Sequence, residues 1–228
     1  MKKFLLSITA LVMFFSATVL TSCSKDDTDA PVITLLGLDP ATVILGSTYT
    51  DAGATAEDAQ DGVLTTSIQS DYSATNPNVN LKGSYTITYT VSDADGNTGT
   101  AKRTVNVVNT LENMAGGYSI SGIYDGAPDT DYETDNVVTS STVNNRILFN
   151  KFVNYKDAIV YANISGNVIT IPQQDIVCGD PALATPVSRR FIATGIITSA
   201  SSFSLTGTVA LTSAPNVTIQ YSYTFTKN

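Results

Sequence analysis

Five acids lie close together in the second half of the chain: Asp125, Asp129, Asp131, Glu133 and Asp135. If the backbone from Asp129 to Asp135 were extended, Asp129, Asp131, Glu133 and Asp135 would line one side. Their repulsion would disfavour that geometry without a cation. These four are the candidate metal ligands, and calcium, which takes carboxylate oxygens, is the ion that suits them. A solvated acidic loop between strands is the simpler reading of the same residues. Asp93, Asp95 and Asn97, with Gly96 between, imitate the opening of a calcium loop. Such a loop needs a Glu eleven residues after its first ligand, and Thr104 stands there, so a hairpin turn is preferred.

Tyr124, Tyr132 and Tyr155 flank the acidic segment or a neighbouring turn. Tyrosines exposed beside carboxylates can stack on a sugar and hydrogen-bond its hydroxyls. Tyr132 and Tyr155 are the candidate ligand contacts, and Tyr124 reads better as core. The chain has no His and no Trp. Histidine triads, histidine metal clusters and histidine general bases are therefore excluded, and so are tryptophan platforms for sugars. Two carboxylates alone could hydrolyse a glycoside, but the acids here fall in turns and loops with no sign of a cleft-forming scaffold. No enzymatic activity is expected. Cys178 has no histidine partner and reads as a buried small apolar residue.

The chain opens with Lys2 and Lys3, then an apolar stretch from Phe4 to Leu20, then small polar residues before Cys23. That is the layout of a secretory signal over residues 1–22; a membrane-spanning helix is the alternative, since the apolar part is nearly long enough. Leu20-Thr21-Ser22-Cys23 resembles the lipobox of bacterial lipoproteins. The resemblance implies cleavage before Cys23 and lipidation of its thiol and amine. Several acyl chains, at about 0.8 kcal/mol per buried methylene, anchor a protein firmly where one does not. Residues 23–30 then form an acidic tether. Its Ser24-Lys25-Asp26-Asp27-Thr28-Asp29 is similar to the export signal of Bacteroidetes lipoproteins, which implies an outer-membrane protein displayed at the cell surface. Retention in the periplasm is the other reading. The net charge of −8 becomes two units more negative once Lys2 and Lys3 leave with the signal. Such a surface repels nucleic acid and anionic headgroups. With Cys23 lipidated, Cys178 has no partner for a disulfide.

What positions these groups is strand throughout, for helical periodicity is absent. From Ser84 to Asp93, Tyr85, Ile87, Tyr89 and Val91 alternate with Thr86, Thr88, Thr90 and Ser92, the period of a half-buried antiparallel strand. Asp95-Gly96-Asn97 turns the chain back through Thr100 to Val108. Earlier strands are expected at Val32 to Leu36, Thr42 to Leu45, Ala54 to Glu57 and Leu64 to Ser70. Ala30-Pro31-Val32-Ile33-Thr34-Leu35, the run from Leu45 to Ala54, Asp61-Gly62 and the run from Gly83 to Asp93 resemble the bacterial surface immunoglobulin-like domain, also found in a pesticidal crystal protein. The resemblance covers residues 31–108 and implies a seven-stranded sandwich used as a spacer or adhesive module, without catalytic residues. Tyr85 is expected to be a corner tyrosine that bonds back to the backbone.

After a linker at 109–116, residues 117–228 form a second unit. Phe203, Leu205, Val209 and Leu211 share one face, as do Val217, Ile219, Tyr221, Tyr223 and Phe225. With further strands at Tyr118 to Tyr124, Asn136 to Val143, Arg146 to Phe152, Ala158 to Ile164, Val168 to Ile171 and Arg189 to Ile197, the count is about eight. Consecutive hairpins at this spacing favour an antiparallel barrel or sandwich. Gly117-Tyr118, the run from Asn163 to Asn167 and the run from Val168 to Gln174 are similar to the C-terminal β domain of a Bacteroides lipoprotein family of unknown function. The expected fold class is all-β: an immunoglobulin-like sandwich, then a second antiparallel domain, behind a signal peptide. The expected role is a lipid-anchored, non-enzymatic binding module for a glycan or other extracellular ligand. An adhesive protein that contacts another envelope protein and a lipocalin-like carrier are the alternatives. The carrier would need a large apolar cavity, and the adhesive protein a broad apolar surface patch.

Overall fold

The structure is a computed structural model that describes residues 27–180 and 182–228. The expected signal segment and the expected lipidation site at Cys23 lie outside these residues. Among the described residues all the regular structure is β apart from three single turns of 3₁₀ helix.

The first module packs two sheets. One contains β1 (Val32–Leu35), β3 (Ala54–Asp58) and β4 (Gly62–Val63), in that order; the other runs β2 (Ala41–Ile44), β7 (Thr98–Val108), β6 (Gly83–Ser92), β5 (Gln69–Ser70). The alternation read from the sequence sets the core. Ile87, Tyr89 and Val91 of β6 are buried, and Ile87 and Tyr89 meet Val105 and Val107 of β7, Val43 and Leu45. The Tyr85 hydroxyl donates to the Leu81 carbonyl at 2.7 Å, the corner bond expected of it. Tyr118 repeats the same four-residue return in the second module, bonding the Met114 carbonyl at 3.0 Å. The strand expected from Leu64 to Ser70 does not form as one piece. Thr65 Oγ1 accepts the Ala56 N–H at 3.1 Å while Leu64 N–H donates to the Ala56 carbonyl. This turns the chain at Thr65–Ser67, and it leaves one sheet at β4 and joins the other at β5.

The second module is a closed eight-stranded antiparallel barrel. Its strands are β8 (Gly116–Tyr124), β10 (Thr134–Thr139), β11 (Arg146–Phe149), β12 (Val160–Ser165), β13 (Val168–Cys178), β14 (Val187–Ser199), β15 (Ser202–Leu211) and β16 (Thr218–Lys227). They pair in chain order, β16 returns to β8, and β8 also pairs with β10 to close the ring. The short β9 (Ala127–Pro128) folds back on the end of β8. Closure leaves no long edge to recruit another chain.

Inside, an eight-stranded barrel is just wide enough for side chains to fill. Tyr118, Phe149, Phe152, Phe191, Phe203, Tyr221, Tyr223 and Phe225 are all under 3% exposed. The Phe203 and Phe225 rings stack at 4.5 Å. Glycines make room: a Cβ at Gly122 would meet the Tyr223 ring at 2.4 Å, and one at Gly207 would meet the Tyr221 hydroxyl at 2.7 Å. The carrier reading needed an open apolar interior. Aromatic rings fill that volume, so it is set aside.

The Pro172-Gln173 step is a bulge inside β13 rather than a turn, since the register with β14 shifts between Ile171 and Gln174. Proline cannot donate to the ladder. The Gln174 side chain supplies what is missing towards β12, accepting the Tyr161 N–H at 3.0 Å and donating to the Tyr161 carbonyl at 2.7 Å. The segment between the modules is also tied down. The buried Asn109 amide donates to the carbonyls of Ser140 and Val143, both at 3.0 Å. Lys82 pairs with Glu112 at 3.1 Å and donates to Thr139 at 2.6 Å.

Candidate functional site

Strand direction decides which end of the barrel holds the acidic segment. β8 starts at the linker and ends at Tyr124, so the loops around 125–131, 152–157 and 179–182 gather at the opposite end. There they surround an open cleft of about 340 Å³ lined by Tyr124, Asp131, Asn154, Tyr155, Asp180 and Arg189, with Asp129 alongside.

Arg189 is the centre of this mouth. It is on the same face of β14 as Phe191 and Ala193, so the period of two turns it inward, and it is only 8% exposed. One guanidinium nitrogen donates to Asp180, whose other oxygen accepts the Ala182 N–H at 2.8 Å. The guanidinium carbon lies 4.4 Å from the centre of the Tyr155 ring, a cation–π contact. Among the described residues, Arg189 Nε has no partner. The hydroxyls of Tyr124 and Tyr155 share a hydrogen bond of 2.7 Å. Burial, with the neighbouring phenol, pushes Tyr155 well above the usual range, and burial raises Tyr124 as well. Burial works against ionisation of Asp180, but the Ala182 N–H and Arg189 outweigh it and hold its carboxyl below the usual range.

The loop that delivers Tyr155 is unusual. Val153 (φ 56°), Asn154 (φ 58°) and Asp157 (φ 63°) all have left-handed backbone. For a β-branched residue such as Val153 that conformation is a true outlier, of the kind stored at binding and catalytic sites at a cost of about 1–3 kcal/mol. Lys156 and Gly179 exchange two backbone hydrogen bonds, 3.0 and 2.7 Å, that pin this loop against the one bearing Asp180.

The four acids proposed as metal ligands do not converge. Asp129 accepts the N–H groups of Asp131 and Tyr132 through one oxygen and the Tyr223 hydroxyl through the other. Asp135 is buried and accepts from Tyr132, Asn136, Asn150 and Lys151. Asp131 and Glu133 are exposed. Repulsion is relieved by sending the carboxylates in different directions and giving two of them protein donors, so the calcium reading of Asp129, Asp131, Glu133 and Asp135 is corrected. Tyr132 is corrected too: it is fully buried, packs edge-on against Tyr223 at 5.1 Å, and donates to Asp135 at 2.8 Å. Tyr155 does reach the cleft, although its ring is largely buried. Tyr124, read as core, lines the cleft beside it.

Among the described residues, Asp27, Asp58 and Asp93 do bring carboxylate oxygens within 4.8 Å of one another. Each of the latter two already caps a turn. Asp58 accepts the N–H groups of Gln60 and Asp61, and Asp93 accepts from the backbone and side chain of Asn97. The Asn97 contacts outweigh desolvation and hold Asp93 below the usual carboxylate range. The hairpin reading of Asp93, Asp95 and Asn97 therefore stands, and Asn97 also donates to the Asp27 carbonyl at 3.0 Å.

With this geometry in hand, the chain can be set beside known proteins. Residues 33–107 match the family model of the bacterial surface protein immunoglobulin-like domain. The match covers the first module and stops before the barrel. A crystal structure of a lipoprotein from Bacteroides thetaiotaomicron is similar over 86% of this chain and 100% of its own, at 17% identity and a TM-score of 0.35. A Clostridium perfringens structure, a carbohydrate-binding module in complex with GlcNAc together with INT domains, is similar over 86% of this chain and 43% of its own, at 16% identity and a TM-score of 0.27. Both likenesses are loose. No curated protein matches the chain.

Proposed function

We propose that this chain is a non-enzymatic, lipid-anchored envelope protein, displayed at the cell surface, in which the immunoglobulin-like module spaces a barrel whose far mouth binds a glycan. The observation that carries this reading is the mouth itself. At the end away from the linker it combines a buried arginine on β14 whose Nε has no partner among the described residues, an exposed carboxylate at Asp131, Tyr124 at the end of β8, and Tyr155 on the strained loop. An anion would meet Asp129, Asp131 and Asp180 against the one charge of Arg189. A polyhydroxylated ligand is neutral and both donates and accepts, which suits this mixture. The first module's match to a surface-protein domain is consistent with display.

A glycan panel probed with the purified protein tests the reading. Binding to at least one polysaccharide is expected. Asp131→Asn should weaken it about tenfold, the usual loss for a charged hydrogen-bond partner, and leave the melting temperature unchanged because the side chain is exposed. Indifference of the whole panel would transfer the proposal to an adhesive role. The anchor is tested separately. Cys23→Ser should abolish incorporation of a labelled fatty acid and cleavage before residue 23, since the thiol is where the acyl chains are attached. A serine variant that is still cut there and still stays with membranes would remove the anchor from this account.

A further inference from the structure

We propose that the immunoglobulin-like module has a binding cleft of its own, built to take a neutral saccharide against the ring of Tyr72. This goes beyond the mouth reading, in which that module is only a spacer. The cleft encloses about 530 Å³ between the turn at Gly46, Ser47 and Thr48 and the loop carrying Tyr72 and Ser73, with Tyr49 between them. Among the described residues its lining contains no Asp, Glu, Lys or Arg, in a chain of net charge −8. The barrel mouth, by contrast, is lined by three carboxylates and a guanidinium.

Tyr72 is 38% exposed and meets Tyr49 edge-on, with ring centres 6.0 Å apart. Both phenols are committed at their polar ends. Tyr72 donates to the Tyr49 carbonyl at 2.9 Å, and Tyr49 donates to Asp51 at 3.1 Å. What the tyrosines have left to offer is aromatic surface, with the Thr48 hydroxyl beside it and those of Ser47 and Ser73, which already bond the Ile44 carbonyl at 2.6 Å and the Thr75 hydroxyl at 3.3 Å, still able to accept. An apolar ring face beside small hydroxyls complements a pyranose, which has C–H groups on its faces and hydroxyls around its rim. Without a cation in the lining there is nothing to hold a carboxylate or sulfate, and without a carboxylate there is nothing to hold an amine.

The cleft is also set in advance. Gly46 N–H donates to the Val79 carbonyl at 2.7 Å and ties the two walls together. Ser73 and Asn76 exchange backbone hydrogen bonds, and the Asn76 amide reaches Asp71 and the Thr86 carbonyl, both at 3.2 Å. Asp71 accepts the Thr88 N–H at 2.9 Å. The Tyr72 loop is thus fastened to β6 from below, and a ligand would not have to order it.

Affinity electrophoresis of the whole protein in nonionic detergent tests this, with gels containing mixed-linkage β-glucan, galactomannan or xylan as neutral probes and polygalacturonate as the acidic one. Retardation is expected in at least one neutral gel and not with polygalacturonate. Tyr72→Ala should reduce the retardation about tenfold in apparent affinity, and Tyr72→Phe should preserve it. Tyr72→Leu, which fills the same space without an aromatic face, should match the alanine variant and guards against a loss caused only by collapse of the loop. No retardation in any neutral gel would overturn the proposal. So would retardation that Asp131→Asn abolishes and Tyr72→Ala leaves intact; that outcome would assign the saccharide to the barrel mouth alone. A Tyr72→Leu variant that binds as the native protein does would likewise remove the stacking ring.

Discussion

Arg103→Leu should destabilise the immunoglobulin-like module by about 3–5 kcal/mol, the range for removing one partner of a buried ion pair. Chemical unfolding followed by tyrosine fluorescence would report it. Arg103 is 1% exposed at the centre of the module. It bonds Asp51 and the Leu36 carbonyl, reaches the Gly53 carbonyl at 3.0 Å, and lies 5.6 Å from the Tyr89 ring centre. Leucine would fill much of the space but leave Asp51 charged in the interior, with the Leu36 carbonyl short of its donor and the Gly53 carbonyl keeping only the Leu36 N–H. The Tyr89 hydroxyl, which donates to Asp51 at 2.6 Å, cannot neutralise it. A loss below about 1 kcal/mol would mean that water reaches Asp51 and the pair is not the keystone described here.

The same pair sets a dependence on pH. Burial alone would raise the Asp51 carboxyl, but the Tyr89 hydroxyl, the Gly53 N–H and Arg103 outweigh it, and the net direction is down. A carboxyl depressed in the folded state contributes stability above its unfolded value of about 3.9, and loses it as the pH falls through the lower folded value. The native module should therefore weaken below about pH 4, and Arg103→Leu should show a smaller change over that range because its pair is already broken.

How much of this could be read in advance follows from what kind of pattern each feature leaves. β6, β15 and β16 were legible because each has a single apolar face over eight or more residues, and a period of two is hard to mistake at that length; β7, whose inward face holds Arg103 as well as Val105 and Val107, was placed by the hairpin turn before it. Leu64 to Ser70 was not, because it has the right composition but switches sheets in the middle, held by one threonine hydroxyl. Of the mouth, Tyr155 and the acids were visible as residue types. Arg189 was overlooked although its signal was present: in β14 it keeps step with Phe191 and Ala193, which turns a charge towards the interior. Asp180 could not have been paired with it from spacing, since the loop between them has no period. Tyr132 was misplaced for a related reason. It follows Asp131 and precedes Glu133, both exposed, and the reading gave it the character of its neighbours. In a loop folding over a barrel mouth, the single aromatic residue among acids is the one that turns inward.

Asp135→Ala should be the most damaging change in the barrel, on the order of 3–5 kcal/mol, because it would leave several buried donors without acceptors at once. Asp135 accepts the backbone N–H groups of Asn136, Asn150 and Lys151 at 2.7, 3.2 and 3.3 Å, besides the Tyr132 hydroxyl. It thereby fastens the start of β10 to the turn that follows β11 and leads to the strained loop of the mouth. Asp135→Asn is the informative control. Its carbonyl oxygen can still accept the three N–H groups, and its amide can donate to the tyrosine oxygen, so most of the stability should return. The two carboxylates should also respond to acid in opposite senses. Burial raises the Asp135 carboxyl, and the donors around it offset this only in part. A folded value above the unfolded one of about 3.9 means that the native state takes up the proton first, so this group's term becomes more favourable as the pH falls from neutrality towards about 4. Relative to Asp135→Asn, which does not titrate, the native barrel should gain stability over that interval. A difference between the two that stays flat from pH 7 to 4, or an alanine variant that loses less than about 1 kcal/mol, would show that Asp135 is hydrated and does not act as the buried hub described here.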